Sequence, residues 1–118
     1  MNFREPKVLG FYREDGDEMM QGELKGDGEG LYVELPSGFR NRMEIVVGNK
    51  IKFSLEAIVD KKGNVLREIK REMVGEVIGY WNELHIPHQE IVECGLKKGD
   101  IVRIYLKSVV QFGEEKKV

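Results

Sequence analysis

The chain has 118 residues, 41% of them hydrophobic and 34% charged, and its 21 acidic against 19 basic side chains leave a net charge of -2. That length supports one domain burying roughly two-thirds of its unfolded surface, which excludes two independent cores and removes the need for a disulfide or a structural metal. The near-balanced charge excludes a protein whose whole surface serves nucleic acid, so any basic patch has to be local.

No apolar stretch approaches the roughly 18 to 20 residues of a membrane span, and the opening MNFREPK lacks the apolar run of a signal peptide. A soluble, cytoplasmic protein with no membrane contact is expected. The lone Cys94 has no internal partner, which suits a reducing compartment. Threonine is absent and Glu and Lys are plentiful, a bias that resembles hyperthermophile usage.

Strands are predicted over 8–14, 19–25 and 31–35. Between Pro36 and Gly48 lies the first of two predicted short helices, each about two turns long. Lys50-Ile51-Lys52-Phe53-Ser54-Leu55-Glu56 alternates strictly, the period of a strand with one buried face. Asp60-Lys61-Lys62-Gly63-Asn64 reads as a turn, followed by strands over 65–70, 74–80 and 83–86. The second helix falls between Pro87 and Gly95, with Gly95 suited to a left-handed C-terminal position. Ser37 and His88, each just after a Pro, are the expected helix caps. A last strand spans 101–110, and Gly-Glu-Glu-Lys-Lys-Val at 113–118 reads as a charged flexible tail.

These elements repeat. At an offset of 51 residues Val33, Leu35 and Pro36 fall on Leu84, Ile86 and Pro87, and Gly48-Asn49 falls on Gly99-Asp100. Ile51, Phe53 and Leu55 fall on Val102, Ile104 and Leu106 at the same offset. Charge runs acidic then basic in each half. Two strand-strand-helix-strand copies bury their faces together and remove edges if they close, so the expected fold is all-β: a small pseudo-twofold, six-stranded closed barrel with two short helices. The domain covers 1–112, with repeats over about 8–58 and 59–110.

Glu83-Leu84-His85-Ile86-Pro87 followed by Gly95-Leu96-Lys97-Lys98-Gly99-Asp100-Ile101-Val102 resembles the unit of AbrB-type swapped-hairpin proteins. Its duplicated form resembles the cradle-loop barrels, whose one-chain versions are the double-psi barrel and the RIFT barrel of riboflavin-related enzymes and translation factors; both use the same repeated unit, and the RIFT form is the expected one. The stretch from Gly22 through Gly26, Gly28 and Gly30 to Pro36 resembles the opening of archaeal CTP-dependent riboflavin kinases. In that family a Pro-x-Gly-Thr-Leu-Asn segment supplies Thr and Asn to the metal and nucleotide; here Val46-Val47-Gly48-Asn49-Lys50-Ile51 stands in its place.

Gly26, Gly28 and Gly30 let a backbone approach a phosphate, although the interleaved Asp27 and Glu29 suit an acidic hairpin equally well. Glu83, His85, His88, Glu90, Glu93 and Cys94 hold zinc-ligand atoms, but Pro87 separates the histidines and His85 alternates with core-facing neighbours, so no metal site is expected. Cys94 reads as buried packing, and Ser37, Ser54 and Ser108 show no nucleophile pattern, so no catalytic residue and no cofactor are assigned. Arg40, Arg42, Lys50, Lys52, Lys61 and Lys62, with Arg67, Lys70 and Arg71 after them, form a basic block able to neutralise phosphates if they converge with Lys97, Lys98, Arg103 and Lys107. Tyr12, Tyr32, Tyr80, Trp81 and Tyr105 are the rings available for stacking. The leading expectation is a monomeric, non-catalytic binding module for nucleic acid or a protein partner. The alternative is a nucleotide- or flavin-binding protein, and an accessory subunit of a larger assembly is the third.

Overall fold

Alternating apolar residues line up into strands because each strand then offers one face to a shared core. In the computed structural model, which describes residues 7–12, 18–26, 30–79 and 82–118, they build nine antiparallel strands and two short helices. The strands are β1 (Lys7–Tyr12), β2 (Glu18–Glu23), β3 (Lys25–Gly26), β4 (Leu31–Glu34), β5 (Lys50–Val59), β6 (Val65–Ile78), β7 (Glu83–His85), β8 (Ile101–Gln111) and β9 (Glu114–Lys117). Helix α1 (Ser37–Arg42) precedes β5, and α2 (His88–Cys94) precedes β8. No helix among the described residues is long and apolar enough to cross a membrane.

One curled sheet carries all nine strands in the order β1-β2-β8-β5-β6-β7-β4-β3, with β9 added to β8. Leu24 alone separates β2 from β3, so the path from β2 comes back to the same stretch of chain at its far end. Inside the curl, Val33, Ile51, Phe53, Leu55, Leu84 and Ile104 have at most 1% of their surface exposed. Each such side chain contributes roughly 1.5–3 kcal/mol through burial. The helices are too short to persist alone and are held by what they insert, Phe39 from α1 and Cys94 from α2.

Two tight turns lead into the central β5–β8 pair. In the turn before β5, Val46 N–H donates to Asn49 Oδ1 at 2.9 Å, Asn49 N–H donates to the Val46 carbonyl at 3.1 Å, and Gly48 sits at φ 95°. In the turn before β8, Lys97 N–H donates to Asp100 Oδ2 at 3.0 Å, Asp100 N–H donates to the Lys97 carbonyl at 3.1 Å, and Gly99 sits at φ 96°. Each turn is also tied to a strand. Gly48 donates to the Val77 carbonyl and Val77 to that of Asn49, at 2.9 and 2.8 Å. Gly99 donates to the Leu24 carbonyl and Leu24 to that of Asp100, at the same two distances.

Three expectations change. Residues 114–117, expected in a charged tail, form β9, because Phe112 and Gly113 both take positive φ, as a two-residue type I′ turn requires, and fold the chain back on β8. The strands expected at 65–70 and 74–80 are one 14-residue strand, bent at Lys70 (φ 51°) where the β5–β6 register shifts. Ser37 and His88 make no side-chain cap. They are the first residues inside their helices, and the cap positions belong to Pro36 and Pro87, whose carbonyls accept from Arg40 and Ile91. Gly95 does end α2 in the left-handed conformation.

Candidate ligand-binding cleft

Strand alternation decides what faces outward on β4 and β7. Val33 and Leu84 pair with each other and are fully buried, so their neighbours Tyr32, Glu34, Glu83 and His85 point away from the core, half-buried. Antiparallel register sets Tyr32 directly opposite His85, and the rings stack with centroids 5.2 Å apart and planes 25° from parallel. Lys25 on β3 lies opposite Tyr32, and Glu76 on β6 lies opposite His85. A cation and a carboxylate thus flank the ring pair in one row across four strands.

Lys25, Tyr32 and His85 of this row floor a cleft of about 820 Å³, within the usual range for small-molecule sites. Glu23 and Lys98 add to its walls, and Gly26 and Gly30 form its rim. A Cβ on Gly26 would overlap the Gly30 carbonyl oxygen, so only glycine closes this hairpin. At Gly30 an added Cβ would meet only His85 Nδ1, at 3.8 Å. Among the described residues, Gly30 therefore leaves the imidazole edge uncovered. His85 Nε2 lies 3.0 Å from Glu83 Oε1, and Lys25 Nζ donates to Glu34 Oε1 at 2.8 Å. That hydrogen bond raises the Lys25 pKa against a smaller opposing effect of burial, so the lysine keeps its charge.

Of the predicted loop glycines, Gly26 and Gly30 line the cleft, while Gly28 lies outside the described residues. The predicted basic block is spread out. Arg40 Nε donates to the Leu35 carbonyl at 3.1 Å, and Arg42 pairs at 2.6 Å with the buried Glu18 while covering the Phe39 ring. Lys52 pairs with Glu115 at 2.6 Å. Lys50 opens β5, and Lys61 and Lys62 follow its end, so a ten-residue strand of roughly 3.3 Å per residue separates them. Asp60, which accepts from the Lys62 and Asn64 amides at 2.9 Å, orders that turn.

A second groove of about 400 Å³, over Phe53, Met73 and Val74, is rimmed by the Lys52–Glu115 pair and by Lys107 with Glu72 at 3.2 Å. Cys94 is buried, and desolvation raises its thiol pKa, against the demands of a nucleophile. Among the described residues, Tyr32 is the predicted ring that lines the cleft; Tyr105 is half-buried on β8, and the Tyr12 side chain, Tyr80 and Trp81 lie outside the description.

Glu83, Lys25 and Lys98 enter the site through register rather than motif. One signal was present in the sequence: the offset equates Val33 with Leu84, and strands that pair with those two opposite each other must set Tyr32 against His85. Comparison with protein families, curated proteins and solved structures finds no match to this chain.

Proposed function

We propose that this protein is a small β-barrel binding module that holds a ligand with a flat aromatic ring, of the nucleotide or flavin class, in the cleft above β3, β4 and β7. The observation that carries this reading is the convergence of a glycine-rimmed opening on the stacked Tyr32–His85 pair. Stacked rings offer flat apolar faces, and the ammonium group of Lys98 suits an anionic substituent on the same ligand, Lys25 being paired with Glu34. The basic block serves a phosphate backbone less well, since Arg42 and Lys52 are neutralised by carboxylates and Lys50 stands far from Lys61 and Lys62.

The proposal extends to architecture: a six-stranded pseudo-twofold barrel of the cradle-loop type, made of two copies of one unit. The matched bond sets of the two turns support it. So do the pairings of Val33 with Leu84 and Ser54 with Tyr105, both 51 residues apart and both between residues the offset makes equivalent. Closure would run through Leu24, where β2 passes into β3.

The test is riboflavin and CTP-magnesium binding by the purified protein and by Gly30→Val, whose Cβ would meet, among the described residues, only His85 Nδ1, at 3.8 Å. Saturable binding of either ligand by the parent, lost at unchanged thermal stability in the variant, is the expected outcome. Unchanged binding in Gly30→Val, or no binding of either ligand by the parent, overturns it.

A further inference from the structure

The cleft contains a polar atom whose role the stacking does not use, His85 Nδ1. Glu83 Oε1 sits 3.0 Å from Nε2, and a carboxylate only accepts hydrogen bonds, so the ring proton of the neutral imidazole belongs on Nε2. Nδ1 is then left with an in-plane lone pair. A Cβ on Gly30 would stand 3.8 Å from Nδ1, and no described residue hydrogen-bonds to it. The stack with Tyr32 and the Glu83 contact fix the ring at two places, so the lone pair has a set direction rather than a rotating one.

We infer that the cleft selects rings carrying an in-plane N–H or O–H donor, which His85 Nδ1 accepts, over rings of the same shape lacking one. This rests on the cleft reading above and deepens it by naming the recognition group of the ligand. A ring that meets Nδ1 edge-on shares the imidazole plane and continues the layer that stacks on Tyr32, so shape and hydrogen bond are satisfied together. A ring with only acceptors on that edge would set one lone pair against another and lose water without replacement.

The test compares uridine, whose ring carries an N–H donor, with N3-methyluridine, which lacks it, by amide-resolved NMR titration of the intact protein. Uridine is expected to bind at least about fivefold more tightly, the effect of one net hydrogen bond, with shifts at Gly30, Tyr32 and His85. Equal affinity at those residues overturns the donor rule and leaves the cleft reading standing, whereas silence there with both nucleosides overturns the two together. His85→Phe keeps a flat ring and removes the acceptor. It should reduce the preference to about onefold, and a retained preference would show that His85 is not the reader.

Discussion

The turn before β5 and the turn before β8 have the same backbone and opposite surroundings. Both hold a glycine near φ 95° followed by an Asn or Asp that bonds back three residues, and both are pinned to a neighbouring strand by a matched pair of amide bonds. The first presents Val46 and Val47, about half exposed, and its Asn49 is buried, accepting from Gln111 Nε2 at 3.1 Å. Gln111 in turn donates to the Met43 and Glu44 carbonyls, at 2.9 and 3.0 Å. The second turn presents Lys97 and Lys98, and Lys98 walls the cleft. The third and fourth residues fold each turn and leave the first two facing outward, exposed valines at one end of the molecule and cleft-side lysines at the other.

That division predicts unequal costs at matched positions. Asn49→Ala strips a buried acceptor from both Val46 and Gln111 and should cost about 2–3 kcal/mol in urea unfolding. Gly48→Ala and Gly99→Ala each force a side chain into positive φ, for about 1–2 kcal/mol apiece, and the two values should agree because the angles do. A clear difference between them would break the equivalence of the turns. Asp100→Ala removes a single, solvent-reached bond and should cost only about 0.5–1 kcal/mol; a loss matching Asn49→Ala would erase the distinction between the buried turn and the cleft-side one.

The smallest effect concerns pH near the first turn, at the β8–β9 hairpin. Glu115 has its pKa held below the ordinary 4.5, first by the hydrogen bond from Lys52 and then by that from Ser108. A carboxylate more acidic when folded than unfolded adds stability that is complete above the ordinary value and is lost as pH falls through the lowered one. Amide exchange in β9, corrected for its intrinsic pH dependence, should therefore quicken on acidification below about pH 4.5 in the parent and change little with pH in Glu115→Gln. Equal acceleration in both would remove Glu115 from the account.

Much of the sheet was legible because its strands alternate against one core; the turn at 60–64 and the left-handed Gly95 also followed from residue chemistry. The turns were legible too, since Gly48-Asn49 and Gly99-Asp100 coincide at the offset. β9 was hidden because Glu114, Glu115, Lys116 and Lys117 are all exposed and show no apolar period, and Phe112-Gly113 is a weak turn signal beside Asn-Gly. The continuity of β6 was masked by its first eight residues, of which Ile69 alone packs against the core and which carry charge on both faces. The basic block was legible as a composition, but its partners were not: Glu18, Glu115 and Glu90 come from elsewhere in the chain to meet Arg42, Lys52 and Arg71. For the cleft, the glycines announced themselves. The Tyr32–His85 pair, 53 residues apart in sequence, needed the register of β4 on β7.

The most direct test follows backbone amides at both turns while riboflavin, and separately CTP with magnesium, is titrated into the protein. The account predicts shifts at Lys25, Gly26, Gly30, Tyr32 and His85 that extend into Lys97–Asp100, with Val46–Asn49 silent. Shifts confined to Arg40, Arg42, Lys50 and the Val46–Asn49 turn, or none at either turn, would contradict it.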